Sequence, residues 1–240
     1  MLLGNINIVV CTVWREENYL ESTLRGLLDD YHVNTDQPVC LVVGSPEVKY
    51  LETYRSLAGI SVVEMGSNTW AWIKNRPAFH RASWNYYRCL TYPTAGARGT
   101  LVLEDDIVFA RGWCARLDAT LKCLEEQYSS EFVLSLYEAI FATYKSDQRD
   151  RFFVEYPHED FFGVQGIYYP ATIREGFAKY LKIHGLAGNK TYHDFLLREY
   201  LSQSGISLFA AAPCLIQHIG KTSVIQSMWH ESSNFMGNVA

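Results

Sequence analysis

Apolar residues along the chain follow two periods, and the switches between them mark the elements. INIVVCTV (6–13) is a β-branched apolar run of strand type. The polar turn after it leads into NYLESTLRGLL, where Leu20, Leu24, Leu27 and Leu28 recur at helical spacing. Asn18 followed by Glu21 reads as a capping pair opening that helix. VCLVVG (39–44) predicts a second buried strand, Ser45-Pro46 a helix start, PEVKYLETYRSL the helix itself, and ISVVEM (60–65) a third strand. GSNTWAWIKNRP, rich in turn formers and holding Trp70 and Trp72, predicts a loop ahead of the helix PAFHRASWNYYRCLTY, and TLVL (100–103) predicts the next strand. Strands alternating with helices imply an α/β protein with a mostly parallel sheet flanked by helices on both faces.

Beyond about residue 110 the pattern changes. After the helix GWCARLDATLKCLEEQY, the segments FVLSLYEAIF, RFFVEYP and FFGVQGIYYP are strand-like and crowded with aromatics. Two helices, ATIREGFAKYLKIHG and HDFLLREYL, precede a last apolar segment, LFAAAPCLIQHIG. No Pro- or Ser-rich linker and no internal repeat interrupts the chain. The simplest organisation is a single domain over residues 1–240. A nucleotide-binding half to about residue 110 is fused there to a smaller, mixed α/β half that takes the second substrate.

Composition narrows the function classes. With 240 residues, 48% apolar and 14% aromatic, the chain can bury a sizeable core. A formal net charge of −5 gives no general attraction to nucleic acid or anionic lipid, so an anionic ligand has to be bound locally. The six cysteines are scattered without CxxC spacing, mostly inside apolar runs, and read as reduced core residues. MLLGNINIVV lacks a basic n-region and a small-residue cleavage site, and no apolar run approaches the roughly 18 residues a bilayer span requires. The expected location is cytoplasmic.

The chemistry concentrates where TLVL runs into Glu104, Asp105 and Asp106. In open α/β sheets ligands bind outside the carboxyl ends of the strands. Three adjacent carboxylates need a cation or a set of donors to stay ionised, and Mg2+ or Mn2+ shared with substrate phosphates would supply it. A solvated turn accounts for the triplet equally well. His218, in PCLIQHIGK, is either a ligand or a satisfied lone imidazole. Asp194 fits a general base, while Thr191-Tyr-His-Asp194 also fits a capping box. Gly163 and Gly166, in FFGVQGIYY, mark a bulge or a close backbone approach to a ligand. Arg81, Asn85 and Arg88 share a helical face, either solvated or turned to phosphate or nucleobase. Trp70, Trp72 and Tyr144 are acceptor-pocket candidates whose other role is packing.

In chain order these pieces resemble a GT-A fold glycosyltransferase: LEDD as an acidic metal motif, FFGVQG as a glycine loop, YHD as an acid at a helix start, and QHIG as a late histidine. More narrowly the chain resembles the N-acetylglucosaminyltransferase IV family. The matching words are the opening strand with a following Arg and YLESTL, then RASWNYYRC, LEDDI, HDFLL and PCLIQHIGKTSV, in the family's order from about residue 6 to 225. The resemblance implies that Asp106 ligates Mn2+ (or Mg2+) with the donor's diphosphate and that His218 faces the same metal or diphosphate. It further implies that Glu104 and Asp105 contact ribose and donor sugar, that Thr12, Arg15, Arg81 and Asn85 hold the nucleotide, and that Gly163 and Gly166 lie against donor or acceptor. Asp194 becomes the base that deprotonates the acceptor hydroxyl in an inverting transfer from a UDP-sugar, with N-acetylglucosamine favoured.

Two departures shape the expectation. The chain is short and carries neither a membrane anchor nor an appended lectin-like domain, which favours an enzyme of surface-polysaccharide or lipid-linked glycan assembly, possible as a peripheral membrane protein, over a Golgi branching enzyme. Around the base this chain has HDFLLRE, where the family tends to have aliphatic residues before the acid and a histidine after it. Glu159 or Asp160, in YPHEDFFG, is therefore the reserve candidate. The alternatives to a glycosyltransferase are a nucleotidyltransferase acting on a sugar phosphate and a glycan- or nucleotide-binding module without catalysis.

Overall fold

The computed structural model describes residues 2–13, 15–34, 38–46, 51–92, 96–140, 151–187, 191–221, 230–232 and 234–237. The first part of the chain alternates as its periodicity predicts. β1 (Ile6–Thr12), α1 (Tyr19–Asn34), β2 (Val39–Val43), α2 (Leu51–Arg55) and β3 (Ile60–Val63) are followed by two helices, α3 (Ser67–Ile73) and α4 (Ala78–Thr91), and then β4 (Gly99–Glu104). β5 (Ile107–Phe109) leads into α5 (Trp113–Tyr128) and β6 (Phe132–Ser135). β7 (Phe153–Glu155), β8 (Gly166–Pro170), α6 (Ala171–His184), α7 (His193–Ser204), β9 (Ser207–Ala211) and β10 (Ile216–His218) complete the order.

Eight strands form one sheet in the order β3-β2-β1-β4-β8-β6-β9-β7. β1 to β4 are mutually parallel, β6 and β9 run the same way, and β8 and β7 run against them. Burial on both faces explains the continuous apolar runs of the central strands. Alternate residues feed two cores. Ile6, Ile8, Val10, Leu101 and Leu103 meet Leu24 and Leu27 of α1 and Leu117 and Leu121 of α5. Val9 and Val102 meet Tyr86 of α4, Phe177 of α6 and Leu197 of α7 on the opposite face. The period of two along the strands thus sorts the core into the two layers of a helix-sheet-helix sandwich. β5 and β10 form a separate antiparallel ribbon, with His218 opposite Ile107 and Ile216 opposite Phe109.

Several expectations need correcting. The predicted loop 66–77 contains α3, because Gly66 and Trp70 accept the N–H groups of Trp70 and Lys74, Ile73 is buried, and Trp72 packs edge-on against Trp84. Tertiary packing outweighs the turn-forming composition there. FVLSLYEAIF shortens to the four residues of β6. FFGVQGIYYP is strand only from Gly166 onward. LFAAAPCLIQHIG is not one element: it parts at Pro213, which has no N–H for a ladder, into strands of two different sheets. The helix predicted from Pro46 is seen as α2, with 47–50 outside the described residues. The six cysteines are free thiols, three of them buried. Among the described residues no helix is long and apolar enough to cross a membrane.

Candidate active site

The acidic triplet sits at the carboxyl end of β4, at the centre of the sheet, where the chain turns into β5. Buried Thr23 of α1 secures the turn: its hydroxyl lies 2.8 Å and 2.7 Å from the carbonyl oxygens of Asp105 and Ile107 and accepts the N–H of Ile107 at 3.1 Å. The Asp105 carboxylate points back toward β1. It accepts the Thr12 hydroxyl at 2.5 Å and the Val13 N–H at 3.2 Å, and its other oxygen pairs with Arg15 at 3.1 Å. Asp106 takes the second arm of Arg15 at 2.9 Å and His218 Nε2 at 3.2 Å, both on Oδ2. Its Oδ1 is buried and makes no hydrogen bond among the described residues.

These contacts set the protonation pattern. Burial and the neighbouring Asp106 push Glu104 up to about 8. Burial likewise raises Asp105, against the pull of Arg15. Burial alone would raise Asp106 too, but the His218 hydrogen bond and the Arg15 charge hold it below the ordinary carboxylate range. His218 is raised: burial opposes its charge, and the Asp106 hydrogen bond outweighs that. The triplet is not a solvated turn: Asp105 and Asp106 are buried and held by Arg15 and His218, with Glu104 part-buried beside them.

His218 is oriented from behind. Its Nδ1 lies 3.3 Å from the backbone carbonyl of His230, and a carbonyl only accepts, so the hydrogen bond requires the proton on Nδ1. Nε2 then faces the Asp106 carboxylate, a contact that needs either a second proton or a cation beside it. Glu104, Asp106 and His218 each bring one ligand atom to within 4.8 Å of the others. Two carboxylates, one oriented imidazole and the orphaned Asp106 Oδ1 fit a divalent ion of the Mn2+ or Mg2+ type, with the backbone carbonyl as the outer partner of the histidine. The His230 ring stacks on His218 with centroids 4.7 Å apart and is held by the Tyr137 hydroxyl at 2.6 Å. Burial and the adjacent His218 depress it to about 4.

Gly220 completes the closure. A Cβ there would lie 2.2 Å from Asp106 Oδ2 and 3.0 Å from His218 Nε2, so only glycine lets the chain pass over the cluster. Sequence reasoning overlooked Gly220, although it ends the word QHIG. It also overlooked His230, Thr23 and Gln165, isolated residues with no periodic signal.

The cluster lines a cavity of about 680 Å³. Of the sequence-predicted residues, Arg15, Arg81, Asn85, Glu104, Asp105, Asp106, Gly163, Asp194 and His218 line it, along with Trp70. Thr12 and Gly166 do not. The Thr12 hydroxyl is occupied by Asp105, and Gly166 is packed beneath Ile216, so both support the wall rather than face a ligand. The Asn85 amide reaches the Thr12 carbonyl at 3.2 Å and the Cys11 sulfur at 3.0 Å, bracing α4 to β1. Arg88 fits neither reading of its helical face, because it donates to the carbonyls of Val43, Val63 and Glu64 and ties off β2 and β3. Trp72 lies away from the cavity, half exposed under Arg76. Tyr144 is outside the described residues.

Asp194 stands in the first turn of α7. The N-cap is Tyr192, without a side-chain cap bond, and the Asp194 carboxylate accepts the N–H of Phe195 at 2.9 Å. Glu159 and Asp160 form a short 3-10 turn, and Glu159 lines a separate hollow beside α7 rather than the cavity.

No protein-family model and no curated protein matches the chain. Among solved structures it is similar to GalNAc-T7 with UDP, GalNAc and Mn2+, at a TM-score of 0.61 and 12% identity, over 91% of this chain and 44% of that one. The chain therefore spans less than half the length of this structural relative. What the two share is the fold, the α/β sandwich of the GT-A type.

Proposed function

We propose that the chain is a metal-dependent, inverting glycosyltransferase that moves a sugar from a UDP-sugar to a hydroxyl of a glycan or glycolipid. The observation that carries this reading is the buried Asp106, with one carboxylate oxygen unpartnered among the described residues and the other hydrogen-bonded to Nε2 of His218, in the lining of a cavity that Asp194 also lines. The GT-A fold, shared with a structure holding UDP and Mn2+, supports it.

Asp106, His218 and Glu104 would hold Mn2+ (or Mg2+), which when bound supplies positive charge to the departing diphosphate. Arg81, whose Nη1 donates to the Lys74 and Arg76 carbonyls, and Arg15, paired with Asp105 and Asp106, also line the cavity and would add positive charge beside the nucleotide's phosphates. Asp105, with both oxygens engaged, keeps Arg15 and the acidic turn in register. Asp194 takes the proton of the acceptor hydroxyl as its oxygen forms a bond to the anomeric carbon. The bond from that carbon to the phosphate oxygen breaks and its electron pair leaves with UDP. Attack from the side opposite the leaving group inverts the configuration. Asp194 rather than Glu159 or Asp160 is assigned the base because it alone of the three lines the cavity of the acidic cluster. N-acetylglucosamine as the transferred sugar is favoured by the resemblance to the N-acetylglucosaminyltransferase IV family, and a glycolipid acceptor would bring the enzyme to a membrane face as a peripheral protein.

The test is to screen UDP-sugars with and without Mn2+ for protection against thermal unfolding, since a ligand of the native state stabilises it, and then to assay UDP release. A rise in melting temperature that needs both UDP-sugar and Mn2+ is expected. Protection by nucleoside triphosphates with pyrophosphate release would instead make the protein a nucleotidyltransferase.

A further inference from the structure

Gln165 is 5% exposed and lines the cavity, and its Oε1 is buried without a hydrogen-bond partner among the described residues. Leaving a buried amide oxygen unpaired forfeits its hydration with nothing in return, so a native protein that retains one requires an explanation. A neighbouring residue shows that the position is accommodated by the fold: Gly163 adopts φ +78°, and a Cβ on it would lie 2.3 Å from this same Oε1. The loop FFGVQ is thus shaped to leave room for the amide. Its placement beside the acids is fixed by the backbone, because the Gln165 carbonyl accepts the N–H of Glu104 at 2.9 Å and the next residue, Gly166, pairs with Leu103 across the β4–β8 ladder. The amide therefore shares the cavity of the acidic cluster, where no described residue gives Oε1 a donor.

We propose that Gln165 reads the donor sugar, accepting a hydrogen bond from a hydroxyl or amide N–H of the hexose. The inference rests on the glycosyltransferase reading above. In a UDP-sugar the hexose is one bond from the diphosphate, so a diphosphate held at Glu104, Asp106 and His218 places the sugar next to residue 165. Gly163 acquires a role from the same geometry: it clears space for the amide. A site built to hydrogen-bond a substrate group discriminates strongly against an analogue lacking it, because the protein's buried polar atom is then left unpaired.

The experiment compares kcat/KM for UDP-N-acetylglucosamine, UDP-glucose and UDP-sugars carrying single deoxyfluoro replacements at C3, C4 and C6, in the wild type, Gln165→Met and Gly163→Ala. Fluorine cannot donate a hydrogen bond. The wild type is expected to prefer the natural donor over one of these analogues by about 10² or more, and the preference should fall to within about tenfold in Gln165→Met. Gly163→Ala, which crowds the amide without removing it, should lose the same preference. UDP affinity in the presence of Mn2+, measured by calorimetry, should stay near the wild-type value in Gln165→Met, which shows that the variant is folded. Unchanged discrimination in Gln165→Met, or an equal loss for every donor, would overturn the assignment while leaving the glycosyltransferase reading intact. A wild type that binds no UDP with Mn2+ would overturn both.

Discussion

The two ends of the eight-stranded sheet deliver their functional groups in different ways. In the β3-β2-β1-β4 end, parallel strands bring their carboxyl ends to one edge. The acids there are fixed by neighbours on adjoining elements: Thr12 and Val13 from β1 and its exit, Thr23 from α1. In the β8-β6-β9-β7 end, strand direction reverses twice, and the groups that reach the acids come from connections. His218 and Gly220 arrive through the β10 ribbon, Gln165 through the loop before β8, and Asp194 through the start of α7. The first end supplies the acids and their setting, and the second brings the groups that complete the site around them. Loss of the metal-facing acid should therefore abolish chemistry, and loss of a group from the second end should weaken it.

The largest expected effect belongs to the first end. Asp106→Ala should reduce Mn2+-dependent UDP release to background in a coupled assay, and wild-type release would remove Asp106 from the metal site. Next comes Asp194→Asn from the second end, which should lower kcat by about 10²–10⁴ with UDP affinity nearly unchanged. Glu159→Gln should turn over normally, and the opposite pattern would transfer the base to the 3-10 turn. Gly220→Ala keeps every acid but drives a methyl group toward Asp106 Oδ2. Roughly 10- to 100-fold weaker Mn2+ binding by calorimetry is expected, the scale typical of disturbing a metal ligand's support; equal affinity would mean that closure by the β10 segment is dispensable.

Two smaller effects test the acids themselves. Glu104 has an ordinary carboxylate pKa when unfolded and is pushed up to about 8 when folded. Across the interval between them the folded protein retains a proton that the unfolded chain has released, so stability falls as pH rises. The raised His218 acts in the same direction. Between about pH 4 and 6.5 the depressed His230 and His193 pull the other way, because the unfolded chain binds protons there that the folded protein does not. The melting temperature of metal-free protein should therefore drop from about pH 6.5 to pH 8, and Glu104→Gln should flatten that slope. Thr23→Val, which releases the clamp on the turn, should cost about 1–3 kcal/mol in denaturant unfolding.

The contrast between the two ends also governs what the sequence reveals. β1, β2 and β4 are legible because strands buried on both faces read as unbroken apolar runs, and Glu104–Asp106 stand out because three charges interrupt one. The second end carries few such signals. β5 and β10 are three residues each, too short for a period to register, and their pairing depends on chain far away. Gly163 and Gly166 look like one motif but do separate work, the first beside Gln165 and the second beneath Ile216. Arg88 looks like a phosphate ligand on its helical face, yet the ends of two strands claim its donors first. Type and spacing identify a residue's capabilities; its neighbours in space decide which are used.

The contact between His218 and Asp106 joins positions 112 residues apart. Any ion clasped between them acts on the unfolded chain as a removable cross-link, closing a loop of nearly half the protein. Because the entropy of loop closure grows only slowly with length, so distant a fastening restricts the unfolded ensemble almost as effectively as any the chain could make. It would also order events during synthesis: the carboxylates emerge well before β10, so an ion held by both would report that the chain has been made and folded at least as far as His218.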